Sequence, residues 1–316
     1  MTFQERSMTP SHPGGTGTLG GHAVARIGYG AMGLGHELPH DDAVAVLRRA
    51  VTLGVNHIDT ASFYDDGVVN RRIRDALSPY AEDLVIVSKV GARSAASGPL
   101  PLALAQHPAD LRAAVELDLH GLGLDRIPVV NLRRADLGPG LIAEGDQIVD
   151  LDDQLAELIA LRDEGKIGAI GISNVDLATL RRALPAGIVC VQNSYNLLNR
   201  THEDELALCV EQGIAWVPFF PLGSAFPGLP KVADHPVVQR IASEMGVTAA
   251  QVGLAWLLAH APNILLIAGT SSVTHLEQNL AAGDIAFSAE QLAALDAIPA
   301  ELTDGDGVEA FLDEGR

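Results

Sequence analysis

The sequence predicts an α/β fold of the (β/α)8 TIM-barrel class, formed as a single domain over residues 22–300 of the 316-residue chain. Three observations point there. Eight short apolar runs rich in Val and Ile recur along the chain, and most are followed by a segment whose apolar residues return at i, i+3, i+4 and i+7. The runs are almost unbroken in apolar residues, as parallel strands buried on both faces require, and the segments between them are long enough for crossovers. No G-x-G-x-x-G joins a strand to a helix early in the chain, as an open doubly wound sheet would want for a dinucleotide; the glycines from Gly28 to Gly35 follow another spacing.

The predicted strands are Ile27 to Met32, Val55 to Asp59, Leu84 to Val90, Ile127 to Leu132, Ile167 to Ile172, Ile188 to Gln192, Ile214 to Phe219 and Ile264 to Ala268. Helices are expected over Asp41 to Leu53, Asp110 to Leu122, Leu151 to Glu164, Asp176 to Leu184, Glu203 to Gln212 and Ala249 to His260. Three connections, Gly91 to Pro108, Ala135 to Asp150 and Phe220 to His235, are long and rich in Gly and Pro, as loops that cover a substrate at a barrel mouth often are. Residues 1–21 read as a flexible tail. After Ser288 a short amphipathic helix leads to an acidic tail over 301–316.

Composition excludes several function classes. With 21 Lys plus Arg against 40 Asp plus Glu, the formal net charge is −19, and no basic run counters it locally, so neither nucleic acid nor a membrane surface is an expected partner. Cys190 and Cys209 make no disulfide framework and no ligand-spaced cluster, so no metal site is expected. With neither a signal peptide nor a membrane span in view, a reducing, cytoplasmic location fits. Only three lysines occur, Lys89, Lys166 and Lys231, which shortens the search for one that does chemistry.

Barrel enzymes place their chemistry at the C-terminal ends of the strands. There the sequence sets Asp59, Tyr64 and Phe63 after the second strand, Lys89 in the third, Asn131 and Arg133 at the fourth, Ser173 and Asn174 at the fifth, and Gln192 at the sixth. Singly, each has a plain reading: Asp59 as a helix cap, Tyr64 as a loop aromatic, Lys89 as a solvated strand end. Together they form a carboxylate, a phenol and an ammonium at adjacent strand ends. An ammonium beside a tyrosine favours phenolate and so can lower the phenol from ~10 towards neutrality, making it a general acid.

These segments, in this order, make the chain resemble the aldo-keto reductase superfamily. The resemblance rests on Asp59-Thr60-Ala61-x-x-Tyr64, Lys89, Gly171-Ile172-Ser173-Asn174, Gln192-Asn193-Ser194-Tyr195-Asn196, Pro221-Leu222-Gly223 and Gly269-Thr270-Ser271-Ser272, followed by His275 to Asn279, and it spans about Arg26 to Ala297. It implies an NAD(P)H-dependent carbonyl reductase acting on a small molecule, without metal or flavin. Tyr64 would be the proton donor, tuned by Lys89 and Asp59. Ser173, Asn174 and Gln192 would hold the nicotinamide carboxamide, with Phe219 stacking on its ring. Gly30 and Met32 would also bind the cofactor, Leu222 and Ser224 would touch the pyrophosphate, and Gly269, Thr270, His275, Gln278 and Asn279 would surround the adenosine. Asn131 and Phe63 are substrate contacts in the same reading.

Two departures stand out. Where the family usually has a histidine at the end of the fourth strand, this chain has Arg133, in Val129-Val130-Asn131-Leu132-Arg133. Strand alternation turns Asn131 and Arg133 to one face, inward if the site uses them and outward if it does not. An arginine does not shuttle protons at neutral pH, but it offers hydrogen bonds and a fixed cation to a developing alkoxide or an anionic substrate. This variant resembles a smaller branch that includes bacterial pyridoxal reductases, whose substrate carries a phenolic hydroxyl beside the aldehyde. In addition, no Lys or Arg follows the last strand to meet a 2′-phosphate, only hydroxyls, amides and His275. NADPH is the favoured cofactor, with NADH the alternative. A cofactor-sensing subunit with little turnover, and a tailoring reductase for a sugar or polyketide carbonyl, share these residues and stand as alternative functions. The oligomeric state is left open.

Overall fold

A computed structural model describes residues 12–95, 102–138, 141–223 and 230–300. The chain begins with an antiparallel hairpin, β1 (Thr16–Leu19) and β2 (His22–Ala25). There follow β3 (Tyr29–Gly30), α1 (His40–Thr52), β4 (His57–Asp59), α2 (Val68–Leu77) and β5 (Val85–Val90). A second antiparallel pair, β6 (Ala92–Ser94) and β7 (Leu102–Leu104), precedes α3 (Pro108–Leu122) and β8 (Ile127–Arg133). The alternation continues through α4 (Leu151–Asp163), β9 (Ile167–Ser173), α5 (Leu177–Ala183), β10 (Ile188–Gln192), α6 (Glu203–Gln212) and β11 (Ala215–Trp216). It ends with α7 (Pro236–Met245), α8 (Ala249–His260), α9 (Val273–Ala281) and α10 (Ala289–Asp296).

The seven parallel strands lie in the order β11-β10-β9-β8-β5-β4-β3. The eighth run, 264–268, closes the ring: parallel bridges join Ile264 to Trp216 on one side and Leu266 to Ile27 on the other. Backbone bonds from Gly28 N to Leu266 O and from Leu266 N to Arg26 O complete the seam. The predicted strand 214–219 is shorter as a regular strand. Pro218 has no N–H to give, yet Val217 N and Phe219 N still reach Val191 O and Asn193 O, so the ladder continues through alternate residues.

The period of two along each strand sorts the side chains. On β5, Val85 and Val87 face the barrel axis with Val129, Cys190, Ala215, Val217 and Leu265, whereas Ile86 and Val90 join the larger core between strands and helices. Residues 12–21, expected to belong to a loose tail, are instead ordered. Leu19 and Val24 of the first hairpin enter the axial cluster, and Asn56 secures the hairpin by accepting from Ala25 N and donating to Ala23 O. The hairpin thereby stoppers the N-terminal end of the barrel. Residues 1–11 and the acidic tail 301–316 lie outside the described residues.

Helix ends follow from local chemistry. Thr248 with Gln251 and Ser288 with Gln291 form capping boxes at α8 and α10, the latter helix being the amphipathic one expected after Ser288. Ser272 caps α9 by accepting from His275 N. That helix therefore starts directly after the strand end 264–268, with its free N–H groups at the barrel mouth. No single helix among the described residues is long and apolar enough to cross a membrane.

Candidate active site

Lys89 comes from the axial face of β5 and Asp59 from the end of β4; both side chains are buried, and they form an ion pair through Asp59 Oδ1. Lys89 Nζ also donates to Tyr64 Oη at 2.9 Å and to Thr60 O at 3.2 Å. All three ammonium protons are thus engaged, which fixes the head group. Because the phenol oxygen accepts from Lys89, its own O–H points away from the lysine, where it is available for donation. Gln192 completes the carboxylate's surroundings, its Nε2 donating to Asp59 Oδ2 at 2.7 Å. The sequence assigned that amide to the nicotinamide; in the structure its nitrogen belongs to Asp59.

Burial opposes the charged form of Lys89, but Asp59 and Tyr64 together hold it above its ordinary value. For Tyr64 the expectation is reversed. Burial pushes the phenol above its ordinary value, and Lys89 and Arg133, which pull it down, do not overcome burial and Asp59. Lys89 therefore orients Tyr64 without lowering it towards neutrality, and at neutral pH the residue is a protonated donor. Reduction at saturating substrate is accordingly expected to show no alkaline loss up to about pH 9, while the reverse oxidation, which needs phenolate, rises with pH over the same range. Initial-rate profiles in both directions check this; a reduction rate that falls with a midpoint near pH 7 on the alkaline side contradicts it.

Arg133 and Asn131 share the axial face of β8 with Val129. Arg133 lies close enough for its charge to act on Tyr64, and burial lowers its own pKa. Its Nη1 and the Nδ2 of Asn131 are buried donors without a partner among the described residues. Asn131 Oδ1 accepts from Cys190 Sγ at 3.1 Å, and Gly171 opposite has no room for a Cβ, which would collide with both groups. Two buried donors thus face the axis beside the phenol. The carbonyl of Arg133 is held by Gln106 Nε2 at 3.0 Å, a contact that sequence reading missed.

Ser173 pairs in register with Gln192 and Arg133, so the fourth, fifth and sixth strand ends meet around one point. Asn174, at φ 60°, donates through Nδ2 to Arg134 O and Leu137 O, which leaves its Oδ1 as the atom it can offer a ligand. Phe219 is half-buried and meets Phe220 edge-on at 5.1 Å. Leu222 packs against the core beside Gly253, and Ser224 lies outside the described residues. Gly30 packs against the 267–269 backbone closely enough that a Cβ on Gly30 would meet the carbonyl of Ile267, and one on Gly269 the carbonyl of Gly30. Tyr29 Oη donates to Thr270 O at 2.5 Å. Met32 and His275 are exposed, and Gln278 and Asn279 half-buried, along the same rim.

Phe63 differs from its expected role. Its ring is buried against Ala61, Ala92 and Leu102 beneath the second hairpin, and meets Tyr64 edge-on at 5.3 Å. It buttresses the loop that carries Tyr64 and offers a ligand little surface. That hairpin, built from part of the Gly91 to Pro108 connection, is tied to the loop by Ser94 Oγ donating to Phe63 O. Among the described residues no group of three or more His, Cys, Asp or Glu side chains could hold a metal ion.

Residues 26–300 match the model of the aldo/keto reductase family. Over 294 residues, covering 90% of this chain and 99% of the relative, the sequence is 44% identical to an Escherichia coli protein named pyridoxine 4-dehydrogenase. An aldo/keto reductase from Klebsiella pneumoniae solved with NADP and acetate superposes with TM-score 0.75 at 28% identity, covering 92% of this chain and 97% of that one. A Klebsiella pneumoniae aldo-keto reductase in complex with NADPH gives TM-score 0.74 at 28% identity, over 91% and 96% of the two chains.

Proposed function

This chain belongs to the aldo/keto reductase family, and from that premise we propose that it reduces an aldehyde with NADPH, Tyr64 protonating the carbonyl oxygen, and that its substrate is pyridoxal or a closely similar hydroxyaldehyde. The observation that carries the reading is the pair of buried donors, Arg133 Nη1 and Asn131 Nδ2, which have no partner among the described residues and lie on the strand face beside Tyr64. Buried donors without partners are costly, and an acceptor-rich ligand relieves them.

The residues present suit a dinucleotide. Ser173 is buried at a strand end with Asn174 Oδ1 next to it, a hydroxyl and an acceptor for a carboxamide. The Gly269 to Ser272 segment leads into the nine-residue α9, whose N–H groups and hydroxyls suit phosphate oxygens in place of a lysine or arginine. When bound, the reduced nicotinamide supplies hydride to the carbonyl carbon. Tyr64 gives its proton to the oxygen, Lys89 holds the phenol in place, and Arg133 steadies negative charge on or next to that oxygen.

Arg133 in the usual histidine position favours an aldehyde with an ionisable hydroxyl beside it, since a phenolate there meets a fixed cation. The Escherichia coli relative's name points to the same substrate pair. The test is initial-rate kinetics with pyridoxal, salicylaldehyde and benzaldehyde, each with NADPH and NADH, on the wild type and Arg133→Leu. The wild type is expected to prefer NADPH and the two hydroxyaldehydes. Arg133→Leu is expected to lose about 10²-fold in kcat/KM for these, and less than tenfold for benzaldehyde, the difference being one charge-assisted bond to the substrate. Equal losses for all three aldehydes would remove Arg133 from substrate selection.

A further inference from the structure

Behind the catalytic cluster, on the opposite face of β5, lies a second buried carboxylate. Asp118 interrupts the apolar face of α3, where Leu111, Val115 and Leu122 are core residues, and it is fully buried. Its Oδ2 accepts from Ser88 Oγ at 2.7 Å and its Oδ1 from Asn70 Nδ2 at 2.6 Å. Asn70 Oδ1 in turn accepts from Thr60 Oγ1 at 2.7 Å. All four side chains are buried. Burial pushes the Asp118 carboxyl up to about 7, against Ser88, Asn70, Lys89 and the backbone N–H of Ser62, all of which favour the ionised form.

Ser88 and Thr60 are chain-adjacent to the chemistry. Ser88 precedes Lys89. Thr60 follows Asp59, and its carbonyl accepts from the Lys89 ammonium. Ser62 stands two residues before Tyr64. One carboxylate on a helix therefore ties together the strand ends that carry Asp59 and Lys89, reaching them from the helix side of the sheet.

We propose that Asp118 is a positioning residue for the reduction: through Ser88 and Asn70–Thr60 it fixes the relative placement of Lys89 and Asp59, and with them Tyr64, which Lys89 holds. The inference rests on those three residues serving the reaction proposed above. An apolar side chain at this position leaves the Ser88 and Asn70 donors unpaired and frees the two strand ends to drift independently. Drift of about 1 Å among reacting groups is enough to cost on the order of 10²-fold in rate.

Asp118→Asn keeps the shape but turns an NH2 group towards one of the donors. It is expected to lower kcat by about 10- to 100-fold, with KM for the aldehyde and Kd for NADPH changed less than about twofold. The primary isotope effect on kcat, with NADPH deuterated at the transferred position, is expected to rise, because chemistry becomes slower than product release. Loss of stability alone moves neither the isotope effect nor this split. Ser88→Ala, which keeps the carboxylate and removes one donor, is the milder variant and decides the matter if Asp118→Asn does not fold; a several-fold lower kcat with a raised isotope effect is expected. The double variant is expected to be no slower than Asp118→Asn by more than about twofold, the two residues acting through one bond.

Amide hydrogen exchange needs no turnover and separates this inference from the proposed function. Faster exchange at Ser62 and across residues 85–90 in Asp118→Asn, with the rest of the barrel unchanged, supports it even if the wild type reduces none of the aldehydes. A folded Asp118→Asn protein with wild-type kcat, isotope effect and exchange overturns it, as does a Ser88→Ala protein with all three unchanged.

Discussion

Tyr64→Phe is expected to lower kcat for aldehyde reduction by about 10²- to 10⁴-fold, equivalent to about 3–5 kcal/mol of transition-state stabilisation. The magnitude follows from removing the proton that is transferred to the carbonyl oxygen, since Arg133 offers hydrogen bonds without giving up a proton and the Lys89 ammonium has its protons engaged by Asp59, Thr60 and Tyr64 itself. The substitution keeps the ring and its edge-on contact with Phe63, so the loop retains its packing. Lys89 loses one acceptor and keeps two. NADPH affinity, read from quenching of protein fluorescence, is therefore expected to stay within about twofold, because the phenol is not among the groups assigned to the cofactor. A variant with more than a tenth of wild-type kcat would take Tyr64 out of the proton transfer.

Lys89→Met is expected to abolish measurable turnover and also to destabilise the fold by about 3–5 kcal/mol, because it leaves the Asp59 carboxylate buried without its counter-ion. Asp59 would keep only the amide of Gln192 as a side-chain donor. The stability loss and the activity loss separate in a double variant. Asp59→Asn with Lys89→Met removes the uncompensated charge, so most of the stability is expected to return while turnover stays lost. Urea unfolding of the wild type, both single variants and the double variant measures the pair directly. A Lys89→Met protein as stable as the wild type would mean that the ion pair contributes no net stability.

Most of the strands were legible in the sequence because a parallel barrel strand is buried on both faces, which leaves a nearly unbroken apolar run. The runs at 84–90, 127–132, 167–172 and 188–192 appear as β5, β8, β9 and β10 with ends shifted by a residue at most. The convergence of Asp59, Tyr64 and Lys89 was legible for the same reason: once the strands are ordered, their polar ends must meet. What escaped was built from short or polar segments. The hairpin of β1 and β2 is rich in Gly and Thr and only four residues on each side, so it carries no periodic signal, and it is stable only because Leu19 and Val24 plug the barrel.

The direction of the Tyr64 shift escaped because charge sign is written in the sequence, whereas the extent of burial depends on the loops that close over the site. Gln192 and Asp59 are 133 residues apart, and nothing local marks the bond between them. Asp118 left a faint signal. It sits seven residues after Leu111 on the apolar face of α3, and a lone carboxylate at such a position requires partners. Its partners, however, lie 30 and 48 residues away in chain and only the fold reveals them.

Hydride transfer to an aldehyde at this strand-end cluster is the proposed reaction. It is tested most directly by single-turnover stopped flow, in which the NADPH-loaded protein is mixed with excess pyridoxal and the loss of reduced-nicotinamide fluorescence is followed. A saturable exponential loss is expected, and it slows when the transferred hydrogen of NADPH is replaced by deuterium. Bound NADPH whose fluorescence persists unchanged, with pyridoxal and with the other aldehydes alike, would contradict it.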